Sequence, residues 1–355
     1  MIKNDVVIIG LIGLGGMANA HRRMISEVDQ LKLGALCDVN EDLLMKIAAE
    51  EGVSEEKCFN EMEALIADPD VDAVISIVPN HLHAKVLEMC MHYQKPIMTE
   101  KPFTLNFAEA EKLMVLYEKQ PIPCMVGFSY RYVPSFRYAK KLLKDNEIGT
   151  IRHISVRYLQ SFGAPSFEVP YAWRFNKALT GTGALGDLGA HMIDSARFLI
   201  GEFQSVSGLM ETFVHERMDP VSGDMIQVEV DDYASFQAIL ENKVIGFFLT
   251  TRNAVGSENQ HEVTIYGDIG TIHVNCERPD EIDICINDGA NHRPVFKTKK
   301  VPGDYKRLQL EDFADLVTNN VQKETPTFYD GYQNQKVLER IIQSSEIRRT
   351  VIVDE

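Results

Sequence analysis

The stretch "VVIIGLIGLGGMANAH" at residues 6–21 carries a continuous apolar run into a glycine cluster and then into a helical pattern. Gly13 permits a tight turn, Gly15 lets backbone approach a pyrophosphate, and a helix N-terminus would offer N–H donors and a positive dipole end. Ala18 stands where a third glycine often stands, an allowed variant. With Gly16 and Met17 the segment reads as a phosphate cradle. Glycines after a strand can mark any tight turn, so the cradle needs its context.

That context is a second apolar run, "KLGALC" at 32–37, which ends at Asp38, 23 residues after Gly15. A carboxylate at this distance suits the adenosine ribose hydroxyls of a dinucleotide. Asp38 could instead cap the following helix, although Asn40 could do that job. Val39 and Asn40 follow with no basic residue to receive a 2′-phosphate, and a carboxylate would repel one. NAD is therefore expected rather than NADP.

Further apolar runs at 72–78, 96–99 and 122–128 alternate with helical patterns at 16–28, 41–51, 60–67, 82–93 and 106–119. The runs are rich in Val and Ile, as strands covered on both faces require. The alternation predicts right-handed βαβ units on a doubly wound parallel sheet, in an α/β chain. After about residue 130 the texture changes. A helix over 132–145 leads into alternating strands at 151–159, 228–240, 243–250, 262–266 and 271–275, and two helices close the chain at 306–320 and 329–346. This predicts a mostly antiparallel, open-faced sheet in an α+β domain. The expected boundary divides a Rossmann domain at 1–128 from a substrate and oligomerisation domain at 129–355, with the terminal helices free to pack on either.

The 355 residues suit two domains, and a net charge of −16 disfavours a nucleic-acid backbone or an anionic membrane as partner. No apolar run approaches the ~20 residues of a membrane span. The N-terminus has the superficial look of a signal peptide but reads as a buried first strand. The six cysteines are scattered, with no paired spacing and no Cys/His cluster. They suit a reducing cytosol and suggest neither a disulfide frame nor a metal site.

Two further motifs suggest chemistry. In "MTEKPFT" at 98–104, Lys101 follows a short strand, at the carboxyl end where open α/β sheets collect ligands. In "GTGALGDLGAHMIDSARFLIG" at 181–201, a glycine-rich entry precedes a helix expected over about 187–199. Asp187, His191 and Asp194 fall at i, i+4 and i+7, on one face. Such a face can be plain solvated surface. It also suits oxidation of a secondary alcohol: histidine, with an ordinary pKa of about 6.5, matches the hydroxyl proton. A carboxylate orients the imidazole, and an ammonium stabilises developing alkoxide. "YAWRFN" at 171–176 holds the only tryptophan. Trp173 and Arg174 could line a polyol pocket, or Trp173 could simply anchor packing. Tyr130 is a pocket candidate of the same kind. His21 reads as a structural partner, and His81, His153, His215, His261, His273 and His292 as surface or satisfied core.

Together these motifs resemble the glucose–fructose oxidoreductase/inositol dehydrogenase (Gfo/Idh/MocA) family. The likeness spans the glycine turn, "VPNHLH" at 78–83, "TEKP" at 99–102, "GFSYRYVP" at 127–134, "GALGDLGAHMID" at 183–194 and "YGDIGT" at 266–271. It implies Lys101, Asp187 and His191 as catalytic residues, with His191 accepting the proton. It implies that Pro79, Asn80 and His83 line the nicotinamide side and that Glu100 contacts the cofactor region. Arg131 would help shape the substrate site. Ser129 departs from a frequent Asn, and "TGTGALGD" is less regular than the usual triple-glycine entry. The expected function is an NAD-dependent dehydrogenase of a sugar, inositol or related polyol, cytoplasmic, and a homodimer or homotetramer through its open sheet. A nicotinamide-binding sensor on the same fold is the alternative from another class, and a dihydrodiol- or imine-type oxidoreductase the alternative among enzymes.

Overall fold

The computed structural model describes residues 6–287, 289, 293–321 and 324–354; His292 lies outside them. The chain divides into two units, one of residues 1–127 and 308–332, the other of 128–307 and 333–355.

In the first unit, strands β1 (Val7–Ile12), β2 (Leu31–Cys37), β3 (Cys58–Phe59), β4 (Ala73–Ser76), β5 (Ile97–Thr99) and β6 (Cys124–Val126) form one sheet in the order β3-β2-β1-β4-β5-β6. Every adjacent pair is parallel. The connections are α1 (Ala18–Ser26), α2 (Glu41–Glu51), α3 (Met62–Ala67), α4 (His83–His92) and α5 (Phe107–Lys119). Four residues of β4, Ala73 to Ser76, are all buried, as a strand covered on both faces must be. Helix boundaries follow local chemistry. Asn40 accepts from Leu43 N to start α2, and Gly52, at φ +67°, ends it. Asn106 starts α5 in the same way. The order reverses beside β1, and the carboxyl ends of β1 and β4 there are where an open α/β sheet binds ligands.

The second unit opens with α6 (Pro134–Lys144) and β7 (Ile151–Leu159), then α7 (Lys177–Thr180) and α8 (Ala190–Leu199). Strands β8 (Phe203–Glu211), β9 (Glu216–Met218), β10 (Met225–Gln227), β11 (Tyr233–Leu240) and β12 (Ile245–Thr251) follow. Then come β13 (Gln260–Gly267), β14 (Gly270–Asn275), β15 (Glu281–Ile286) and β16 (Lys297–Lys300). Helix α9 (Gln309–Asn319) belongs to the first unit, α10 (Phe328–Ile347) begins there and continues in the second, and β17 (Val351–Ile352) ends the chain. Nine strands form one sheet, β16-β15-β14-β13-β7-β12-β11-β8-β17, antiparallel except where β12 pairs with β7. Strands β9 and β10 form a separate hairpin.

One sheet face packs on the helices, and α8, with all ten residues buried, is its central cover. The other face alternates outward: Leu209, Ile239, Ile245 and Phe247 stand exposed on β8, β11 and β12. The strand expected over 228–240 begins only at Tyr233. Upstream, Val228 and Val230 instead pack with Phe175 in a small apolar cluster.

Candidate active site

The first unit builds a cradle. After β1, Gly13 donates its amide to Cys37 O (2.9 Å) and adopts φ +88°. A Cβ there would lie 2.7 Å from Ile77 O, so both conformation and space require glycine. Around Gly15 and Gly16 a Cβ would meet nothing within 4 Å. Helix α1 then starts with no side-chain cap and no acid in its first turn, so no side chain competes with an anion at this helix end, although Ala18 N and Ala20 N donate to Gly15 O (2.9 Å) and Met17 O (3.1 Å). Asp38 is fixed from two sides: Oδ2 accepts from Leu14 N (2.7 Å) and Oδ1 from Asn40 N (2.8 Å). A cavity of about 380 Å³ opens beside this turn, bounded by Leu14, Gly15, Gly16, Asn19, Leu43 and Ile47 among others. Met17 and Val39 are exposed and Ala18 is buried. An open glycine turn, an uncapped helix and a fixed carboxylate fit a dinucleotide with free ribose hydroxyls.

Lys101 follows β5 directly, and its peptide bond to Pro102 is cis. Glu100 N donates to Ser76 O (3.2 Å), extending the ladder one residue past the strand. Its carboxylate accepts from His21 Nε2 (2.9 Å) and Lys101 N (3.3 Å). Burial pushes the Glu100 carboxyl up, but His21 and Lys101 outweigh it and hold the pKa below the ordinary value. His21 is thus the structural partner of Glu100. Pro79 and Asn80 stay partly exposed after β4. His83 does not line an open surface. It is buried, with Nδ1 2.7 Å from Pro102 O and Nε2 2.9 Å from Val78 O. It therefore braces the 78–83 loop against the Lys101–Pro102 segment, and burial keeps its pKa low.

In the second unit the glycine-rich entry closes on Asp231. Its carboxylate accepts from Gly183 N (2.6 Å) and Leu185 N (2.7 Å), and its carbonyl from Ala184 N (2.8 Å). A Cβ on Gly183 would lie 1.9 Å from Asp231 O, so only glycine fits. Burial raises the Asp231 carboxyl above its ordinary pKa, against the pull of those two amides. Residues 185–189 then form one π turn before α8. This wider turn, a feature frequent at functional sites, carries Asp187.

Asp187 is 36% exposed and accepts from Arg252 Nη2 (2.9 Å), which also donates to Gly183 O (3.1 Å). His191 is 7% exposed, with the Tyr130 ring edge-on at 4.8 Å. The Tyr130 and Tyr158 hydroxyls are 2.6 Å apart, and Asn259 joins both, accepting from Tyr158 (2.6 Å) and donating to Tyr130 (3.1 Å). Burial pushes the Tyr130 hydroxyl up to about 12, and Tyr158 higher still.

The helix stretch that carries Asp187, His191 and Asp194 is not plain solvated surface. Asp194 is 1% exposed and gripped by Arg131, whose Nε lies 3.1 and 2.9 Å from its two oxygens. Arg131 is itself buried and lies 5.4 Å over the Phe198 ring, so it anchors α8. Trp173 is 45% exposed, and the packing anchor of its segment is Phe175. Arg174 lies over the rings of Trp173 and Phe162. His261 is buried core, 2.9 Å from Ser195 Oγ. Sequence reasoning missed Tyr158, Asn259, Asp231 and Arg252. Only Tyr158 had a signal, its inward place in the β7 alternation. Among the described residues no His/Cys/Asp/Glu group could hold a metal, and no helix is long and apolar enough to cross a membrane.

The description "Oxidoreductase family, NAD-binding Rossmann fold" matches residues 7–128, and "GFO/IDH/MocA C-terminal domain" matches 136–273. Levoglucosan dehydrogenase of Pseudarthrobacter phenanthrenivorans is 29% identical over 95% of each chain. Glucose-6-phosphate 3-dehydrogenase of Bacillus subtilis is 27% identical over 94% of this chain and 95% of its own. The structure of a levoglucosan dehydrogenase in complex with NADH and L-sorbose superposes with a TM-score of 0.90, at 30% identity and 98% coverage of both chains. With the parallel six-stranded sheet and its glycine cradle, these likenesses establish that the chain belongs to the Gfo/Idh/MocA family of NAD-dependent sugar and polyol dehydrogenases.

Proposed function

We propose that this dehydrogenase oxidises a secondary hydroxyl of a sugar, inositol or related polyol, with His191, Asp187 and Lys101 handling the proton. The observation that carries the reading is Asp187: a carboxylate on a π turn, held by a buried arginine, one turn ahead of a histidine packed on tyrosine rings. When bound, NAD supplies a hydride acceptor. Gly13, Gly15, Gly16 and the start of α1 would hold its pyrophosphate, and Asp38 its ribose. His191 takes the hydroxyl proton on a ring nitrogen, and Asp187 stabilises the imidazolium so formed. The Lys101 ammonium stabilises alkoxide character at the reacting oxygen. The fixed carboxylate of Asp38 favours NAD over NADP.

The test is appearance of NADH absorbance with NAD and a panel of inositols, aldoses, anhydrosugars and sugar acids. Lys101→Ala and His191→Ala run in parallel. Loss of turnover by at least 100-fold in both supports the assignment, and wild-type turnover by either variant sinks it. NAD binding with no turnover of any panel member would favour the sensor reading. A homodimer or homotetramer through the open sheet face is part of the same proposal, supported by exposed Leu209, Ile239, Ile245 and Phe247. Light scattering on Phe247→Glu tests it.

A further inference from the structure

Two of the arginines buried in the second unit, Arg217 and Arg252, meet at one segment. Arg217 on β9 donates through Nη2 to Gly163 O (2.6 Å) and through Nη1 to Val169 O (3.0 Å). Its guanidinium lies 4.2 Å over the Phe175 ring. All three partners fall between residues 163 and 175. Gly163 meets the second arginine from its other side: its amide donates to Arg252 O (2.8 Å). A Cβ on Gly163 would lie 2.8 Å from Arg252 Cβ, so the segment sits directly on Arg252. The Arg252 side chain in turn holds Gly183 O and Asp187.

The result is one connected path, Arg217 to Gly163 to Arg252 to Asp187. Beside it, Phe175, Val228 and Val230 pack with Phe162, Val169, Tyr171 and Ala172, and Tyr171 N bonds Met218 O (2.8 Å) on the same hairpin as Arg217. The segment's outer side presents Trp173 and Arg174. A buried guanidinium is costly to desolvate, and apolar neighbours would accept an apolar side chain at less cost. What an arginine adds is direction: two donors in a rigid fork that fix two carbonyls at once.

We infer that Arg217 is a positioning residue for substrate recognition, clasping residues 162–175 onto Arg252 so that Trp173 and Arg174 stand in fixed register with Asp187. The inference rests on the dehydrogenase reading of Asp187, and the clasp itself can be tested without it. Full-length wild type, Arg217→Met and Arg217→Lys are compared by amide hydrogen exchange and by steady-state kinetics with NAD and the panel substrate that reacts. Exchange across 161–175 is expected to rise at least tenfold in Arg217→Met, with 190–199 unchanged. KM is expected to rise at least tenfold with kcat within threefold, and Arg217→Lys to fall between. If Arg217→Met does not fold, Arg217→Lys carries the same two readouts. Unchanged exchange overturns the clasp. Loosened exchange with wild-type KM overturns its role in recognition, as a purely structural contact would behave. If the wild type oxidises nothing in the panel, the dehydrogenase proposal fails, and exchange alone still decides the clasp.

Discussion

Replacing Asp194 by Asn keeps the side chain's volume and removes its charge, which leaves the Arg131 guanidinium buried against a neutral amide. The pair is nearly sealed from solvent, and Arg131 reaches both carboxylate oxygens. Breaking a buried pair from one side costs about 3–5 kcal/mol, because the remaining charge has lost both water and partner. The only tryptophan, Trp173, lies in the second unit, so intrinsic fluorescence follows that unit's unfolding. With a urea dependence near ~3 kcal/mol per molar, a cost of ~4 kcal/mol moves the midpoint down by about 1.3 M. The same change should lower kcat, since Asp194 and His191 share α8. Replacing both partners, Arg131→Met with Asp194→Leu, removes the stranded charge and should recover at least half of the lost stability. A midpoint shift under about 0.3 M, below ~1 kcal/mol, would refute the anchor assignment. A raised KM at unchanged stability would make Arg131 a substrate contact.

The parts of this molecule that could be read from the sequence are those where one local signal decides. In the first unit β1 and β4 are buried almost throughout and appear as Val/Ile-rich runs; β2, "LKLGALC", is apolar without Val or Ile, and β3, two residues long, has no run at all. In the second unit β7 shows clean alternation, while β16, "KTKK", is exposed throughout and carries no apolar signal at all. Residues 228–232 look like the start of a strand because Val228 and Val230 alternate with polar neighbours. They alternate for another reason: the valines fill the cluster under Phe175, and Asp231 turns to cap the entry to α8. The site divides in the same way. Lys101, Asp187 and His191 sit in compact motifs, but Arg252 lies 65 positions from Asp187, and only the fold brings it there. For Asp194, helical spacing places a residue on a face without saying whether that face is wet. Here the paired arginine is 63 positions upstream.

Gly183→Ala should destabilise the second unit by ~2–3 kcal/mol and depress turnover, since the added Cβ would overlap Asp231 O; wild-type stability in urea would refute the packing. Asp38→Ala should weaken NAD binding at least tenfold and narrow its advantage over NADP, read by titration of bound-nicotinamide fluorescence. Arg252→Lys keeps the charge but not the fork that spans Gly183 O and Asp187, and should lower kcat at least tenfold, measured in the NADH assay. Acid stability tests His261. Burial holds its folded pKa at about 3 against an ordinary 6.5, so the unfolded chain binds the extra proton between those values. The stabilisation is complete above pH 6.5 and is lost as pH falls towards 3, at up to ~1.4 kcal/mol per pH unit. Asp231, whose carboxyl is raised by burial, works in the opposite sense, so the readout is the difference between wild type and His261→Gln. Followed by Trp173 fluorescence from pH 7 to 4.5, the variant should lose stability less steeply than wild type. Equal slopes would mean that His261 is protonated in the folded state, and the buried neutral imidazole beside Ser195 would be wrong.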